Sequence, residues 1–214
     1  NNIYKVRKTQ IELFDFPDWF VKQINLSKNF NAEKFISTFC DYPSLHLVFK
    51  SAQYLNNYTE AHTKSSENSA FIESKKKIND MPNFKKGEWW VQDFSSMLPL
   101  AINPKIKNLQ ILDLCAAPGG KAFQILSNNN VILNDISLKR ISKLRNNLSR
   151  LKFNSEIQNI NGLDFDENYK FDVVILDAPC SSIGTIRKHP EILFKSKEPD
   201  FATLNELQKN LLQK

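Results

Sequence analysis

The chain of 214 residues is long enough to bury one substantial core and a smaller module beside it. Hydrophobic residues make up 41% and charged residues 24%, ordinary for a globular fold, and no apolar run approaches the roughly 20 residues of a membrane helix. The formal charge of +6 favours a polyanionic partner, and the three cysteines, Cys40, Cys115 and Cys180, show neither metal-ligand pairing nor a disulfide framework.

The opening stretch, "NNIYKVRKTQIELFDFPDWF", has no compact apolar segment followed by a small-residue cleavage site. No secretion signal is visible, and a reducing, cytoplasmic compartment is expected. The lack of an initiator methionine points to a trimmed or incomplete chain. "FPDWFVKQI" sets Phe16, Trp19, Phe20 and Ile24 on one helical face, with Pro17 near the helix start. "NAEKFISTF" repeats the pattern with Phe35, Ile36 and Phe39, and core packing is the expected role of these rings. "SLHLVFK" has strand character and opens a small α+β module over residues 41 to 86. "KKGEWWVQDFSSMLPL" marks a boundary: Gly87 allows a turn, Trp89 to Val91 form a strand, and a helix from Ser95 is ended or kinked at Pro99. Trp89 and Trp90 are candidates for base stacking or for packing, with packing favoured.

From Asn108 the rhythm is α/β. "LQILDLC" is a short buried strand, followed by "AAPGGK" and a helix around Ala122 to Leu126; "VILND" is a second strand. The helix from Ser137 turns Ile141, Leu144, Leu148 and Leu151 inward, with Ser137 as its cap. "SEIQNI" and "DVVILD" supply two more strands. "PDFATLNELQKNLLQK" is a last helix carrying Phe201, Leu204, Leu207 and Leu211. Strands alternating with helices imply a parallel, Rossmann-like sheet. The expected domains are therefore residues 1–86, a helical and small α+β module of RNA-binding type, and 87–214, part of a Rossmann-like domain. A sheet that ends so early predicts an uncovered edge and poor solubility.

"LDLCAAPGGK" is neither a Walker loop nor the G-x-G-x-x-G fingerprint. Gly119 and Gly120 let the backbone bend tightly and approach a ligand, and Pro118 stiffens the turn. Asp135 ends the second strand, where a carboxylate can accept both hydroxyls of a ribose. A carboxylate at the first turn and a ribose at Asp135 describe S-adenosylmethionine; a tight turn and a helix-entry residue are the plainer alternative. His46, His62 and His189 form no metal cluster in sequence, and Cys40 reads as structural.

"LDLCAAPGGK", "NDIS" and "LDAPCSSIGTIRKHPEI" together resemble the RsmB/Sun/Fmu family of RNA cytosine-5 methyltransferases, in particular its branch acting on small-subunit ribosomal RNA. "FPDWFVKQI" and "WWVQDFSSMLP" are similar to upstream segments of that family. The resemblance is clear from about Trp89 to Ile192 and weaker before it. It implies that Cys115, Ala116, Ala117, Pro118, Gly119, Gly120 and Lys121 line the cofactor pocket, with Lys121 near the methionine carboxylate. Asp135 would bind the ribose, and Asp164 the adenine, with Asp166 competing.

Asp177 would contact both the cofactor site and the target base, whose carbon 5 becomes nucleophilic only after a thiolate adds at carbon 6. In DNA cytosine methyltransferases the Pro-Cys cysteine is that nucleophile. In the RNA family it comes from a later Thr-Cys-Ser motif, and the Asp-Ala-Pro-Cys cysteine assists product release. No Thr-Cys-Ser occurs here, so Cys180 is assigned an assisting role and the attacking thiol is expected outside these residues. Arg187, Lys188 and His189 are expected to hold RNA backbone, or else form a solvated basic loop. A cofactor- or RNA-binding relative without chemistry, and a transfer RNA enzyme, are the competing readings.

Overall fold

The structure is a computed structural model that describes residues 11–41, 43–74, 76–103, 105–166, 168–194 and 198–214. Half of the stretch read for a secretion signal, residues 1–10, lies outside these residues. The chain divides into two compact units: Asn1–Pro43 with Cys180–Asn205, and Ser44–Pro179 with Glu206–Lys214.

The first unit holds helices α1 (Asp18–Asn25) and α2 (Ala32–Cys40). Pro17 precedes α1 as its N-cap, and the Asn31 side chain caps α2 by accepting from the Lys34 amide at 2.8 Å. Phe16 lies edge-on to Phe35 and Phe39, with ring centres 5.4 and 5.1 Å away. The same core buries Ile186 and Leu193 against Phe16 and Phe20. The segment after Cys180 thus belongs to the helical unit, not to the 87–214 domain expected from sequence. The reason is local: Ile183, Ile186, Ile192 and Leu193 form an apolar stripe that the aromatic cluster buries.

The second unit contains two four-stranded sheets. The first comprises β1 (Leu45–Phe49), β2 (His62–Ser66), β3 (Ser69–Ile72) and β4 (Trp89–Val91), with helix α3 (Ala52–Asn56) between β1 and β2. It is antiparallel in the order β2-β3-β1-β4. The expected boundary at 86/87 is therefore not where the fold divides, because β4 pairs with β1, Val48 opposite Trp90. Successive strand residues face opposite ways. Trp89 accordingly enters the small core with Phe49 and Leu55, and Trp90 the large core with Ile111 and Phe123. Both indoles are buried, as packing requires. At Gly87 φ is +73°, and a Cβ there would lie 1.9 Å from the Arg150 carbonyl oxygen.

Beyond β4 come α4 (Phe94–Ala101), β5 (Gln110–Asp113), α5 (Gly120–Phe123), β6 (Asn130–Asn134), α6 (Leu138–Leu151), β7 (Glu156–Gln158) and β8 (Val173–Ile175). Pro99 lies inside α4, which runs on to Ala101 instead of stopping there. The helix expected over Ala122 to Leu126 is only the single turn α5, followed by hydrogen-bonded turns as far as Asn128. The Ser137 hydroxyl caps α6, and Ile141, Leu144, Leu148 and Leu151 are its buried face, as the spacing predicts. The strands are parallel, in the order β7-β6-β5-β8. The last helix, α7 (Phe201–Gln213), packs Leu207 and Leu211 with Leu112, Leu114 and Phe165.

Candidate active site

The sheet order reverses between β5 and β8: the chain moves outward from β5 through β6 and β7, then returns to the other side of β5 as β8. Open α/β sheets form ligand crevices at such switch points, beyond the carboxyl ends of the strands. A cavity of about 190 Å3 lies there. The β5–α5 turn contributes Cys115, Ala116, Ala117 and Pro118 to its wall, the start of α5 Gly120 and Lys121, β5 Asp113, and the loop after β8 Asp177. Val91 at the end of β4, Gln92 and Asp93 after it, and Ser96 in the first turn of α4 close the remaining side.

Gly119 shapes the turn without lining the cavity. Its φ is +112°, and a Cβ there would lie 2.1 Å from the Phe123 ring and 2.8 Å from Leu144 Cδ1. The Ala117–Pro118 peptide is cis. Lys121 Nζ donates to Asp177 Oδ2 at 2.6 Å and to Ser96 Oγ at 3.2 Å. Its side chain is 19% exposed and that of Asp177 is 60% exposed, so the anion faces solvent and the cation the cavity wall. Gln208 of α7 donates to the Pro179 carbonyl at 2.7 Å and steadies the loop after Asp177.

Asp135 follows β6 outside the cavity lining, with its side chain fully buried. One carboxylate oxygen accepts from the Ala117 amide, and the other from the Ser137 amide and Arg140. Those bonds fix the carboxylate against the glycine turn, and of the three donors only Arg140 is a side chain, 46% exposed. Asp164 is exposed on a 3-10 turn after β7 and does not line the cavity; Asp166 is bonded to Asn168 in its own turn.

The acid that sequence reasoning missed is Asp113. It is 1% exposed, and neither of its oxygens has a hydrogen-bond partner. Burial, reinforced by the negative Asp177, pushes its pKa up to about 7, against the opposing pull of the Lys121 cation and then of the Cys115 amide. Its place immediately before "LCAAPGG" was the available signal. The cavity roles of Gln92, Asp93 and Ser96 were likewise not read from "WWVQDFSSM".

Burial, then the negative Asp135 and Asp113, raise the Cys115 pKa to about 11, which keeps this thiol protonated and a poor nucleophile. Cys180, Arg187, Lys188 and His189 belong to the first unit. Cys180 is exposed with its sulfur 4.0 Å from Ser182 Oγ, Arg187 and Lys188 are half-buried, and His189 Nδ1 lies 3.1 Å from Glu191 Oε1. Among the described residues no group of three or more His, Cys, Asp or Glu side chains is placed to hold a metal, and no helix is long and apolar enough to cross a membrane.

Comparison with known proteins identifies the family. The family described as 16S rRNA methyltransferase RsmB/F matches residues 99–214. Ribosomal RNA small subunit methyltransferase B of Photorhabdus laumondii is 39% identical over 141 residues, 63% of this chain and 33% of that protein. The same-named protein of Shewanella oneidensis is 29% identical over 93% of this chain and 50% of its own length. The chain therefore spans between a third and a half of these curated relatives. A solved methyltransferase homolog protein from Pyrococcus horikoshii, 22% identical, shares the fold with a TM-score of 0.73, covering 99% of this chain and 70% of that one. With more than half of its residues matched, the chain belongs to the 16S rRNA methyltransferase RsmB/F family.

Proposed function

We propose that these residues hold S-adenosylmethionine and a target cytosine for methylation at carbon 5 in small-subunit ribosomal RNA. The observation that carries this reading is the cavity at the switch point, where a glycine turn, Lys121 and Asp177 meet. Its volume of about 190 Å3 is below that of pockets enclosing a whole drug-sized ligand, about 300–1,000 Å3, so it suits one end of an extended cofactor. The donor set fits that end: Lys121 for a carboxylate, and a buried carboxyl, Asp113, facing the same space.

When bound, S-adenosylmethionine supplies an electrophilic methyl group on a sulfonium. Lys121 holds the carboxylate end. Asp135 accepts ribose hydroxyls; Arg140 can yield to them while both backbone bonds keep the carboxylate fixed. Asp164 remains the candidate for the adenine edge. Asp177 orients the target base by accepting from its amino group, and a proton shared between Asp177 and the third nitrogen bonds the neighbouring edge position. The protonated Cys115 leaves attack to a thiol that residues 1–214 supply in no Thr-Cys-Ser motif, and Cys180 assists product release. Arg187, Lys188 and His189 contact the RNA backbone. The setting is the cytoplasm, where ribosomal RNA is modified.

The test is to map 5-methylcytosine in RNA from the native cell with and without the gene. Loss of a site in small-subunit ribosomal RNA is the expected result. Loss confined to transfer RNA would move the substrate, and no loss in either would leave a binding protein without chemistry.

A further inference from the structure

Helix α6 and its C-cap carry the protein's surplus charge. Residues 138–152 hold six of the 29 Lys and Arg residues and none of the 23 Asp and Glu, so the other 23 cations are matched one for one by acids. The whole net charge of +6 therefore belongs to one element. Two of the six cations have structural partners: Arg140 pairs with Asp135, and Arg150 bonds the Phe84 and Trp89 carbonyls. Lys139, Lys143, Arg145 and Lys152 are exposed and have no ion pair among the described residues. Between them Ser142, Asn146 and Ser149 are exposed hydrogen-bond donors.

A helix face that is merely solvated ordinarily mixes charges of both signs, and this one works against its own helix. Lys139 and Arg140 stand in the first turn, where the helix dipole is positive and no acid is present. Lys139 and Lys143, one turn apart, repel each other. At the far end Lys50 donates to the Leu151 carbonyl at 2.7 Å, and burial, then the neighbouring Lys152, lower its pKa. Cations crowded in this way are stabilised by an anion from outside. Ile141, Leu144, Leu148 and Leu151 are committed to the core, so the amphipathic face of α6 is not free to enter a lipid layer.

We propose that the exposed side of α6 is a docking surface for RNA backbone, separate from the cavity, where Lys139, Lys143, Arg145 and Lys152 contact phosphates without reading sequence. The proposal rests on the RNA reading above and adds a surface to it. The helix is about 20 Å long, the span of several phosphates on one strand of a duplex. Its serines and asparagine add the neutral donors that bond phosphate and sugar oxygens. The start of α6 adjoins Asp135, which is tied to the Ala117 amide of the cavity wall, so RNA held on this face is anchored beside the proposed site of methyl transfer.

The experiment measures binding of a labelled RNA hairpin of mixed sequence by fluorescence anisotropy, between about 50 and 200 mM salt. It compares the 214-residue protein, a variant with Lys139, Lys143, Arg145 and Lys152 all changed to Gln, and a control with Lys77, Lys105, Lys107 and Lys209 changed to Gln. Both variants lose the same charge. The α6 variant is expected to bind at least tenfold more weakly at low salt, with the salt slope smaller by about 3, and the control to stay within about threefold of wild type. Equal weakening in the two variants, or none in the α6 variant, overturns the proposal and leaves the RNA reading intact. Failure of wild type to bind the hairpin overturns both, and capture of that protein by phosphatidylserine vesicles instead would make the face a lipid surface. The α6 variant should melt at or above the wild-type temperature because repulsion is relieved. A lower melting temperature would show that the cations serve the fold and would also overturn the proposal.

Discussion

Lys121 Nζ lies 2.6 Å from Asp177 Oδ2, joining the helix after β5 to the end of β8 across the point where the sheet order reverses. The two partners are 56 residues apart in sequence. Charge-assisted hydrogen bonds contribute about 1.5–3 kcal/mol each. Lys121→Met is accordingly expected to weaken S-adenosylhomocysteine binding by about tenfold or more. Calorimetric titration reads it, and an unchanged affinity would remove Lys121 from the binding site.

Gly119→Ala should destabilise the protein more than an average substitution. The residue must keep φ at +112°, and its new methyl would overlap the Phe123 ring and Leu144. A loss of about 2–4 kcal/mol is expected in urea unfolding. A loss below about 0.5 kcal/mol would mean that the turn relaxes freely.

The Asp113 carboxyl makes stability depend on pH. Its pKa is about 7 when folded, against an ordinary 3.8. Below 3.8 it is neutral in both states and burial carries no charge penalty. Between 3.8 and about 7 the unfolded chain ionises first, so this group's contribution falls as pH rises, and the loss is complete above about 7. Asp113→Asn removes the titration. It should match wild type near pH 4 and exceed it by about 1–3 kcal/mol at pH 8, read from thermal melts across that range.

Arg150 Nη1 donates to the Phe84 and Trp89 carbonyls, each at 3.0 Å, with the guanidinium 4.1 Å above the Phe84 ring. Arg150→Met leaves two carbonyls without this donor and is expected to cost about 2–3 kcal/mol in urea unfolding. Asp113, Lys121 and Asp177 are untouched, so cofactor affinity at low temperature should stay within about twofold. A large loss of affinity would show that the antiparallel sheet sets the cavity.

The α6 helix was legible because its apolar positions recur at helical spacing and a serine precedes them. Gly119 was legible because glycine pairs mark backbone that no side chain can follow. Lys121 and Asp177 were legible only through paired motifs, since nothing in spacing says that they meet. The 86/87 boundary was read from the turn at Gly87, yet β4 pairs with β1 across it, and strand alternation sends Trp89 and Trp90 into different cores.

The sequence by itself determined the alternation of strands and helices, the glycine turn and the acids at strand ends, because periodicity and backbone restriction act over a few residues. Only the tertiary structure decided which of those acids matter together. Asp113 becomes a buried carboxyl without a partner because β6 and β8 flank β5 on both sides. Asp135 is held fixed because the amides of Ala117 and Ser137 converge on it. Ile186 and Leu193 join the helical unit because an apolar stripe buries itself against whatever surface fits it, however distant in the chain. Hydrophobic burial and desolvation depend on neighbours brought together by the fold, and no local pattern encodes them.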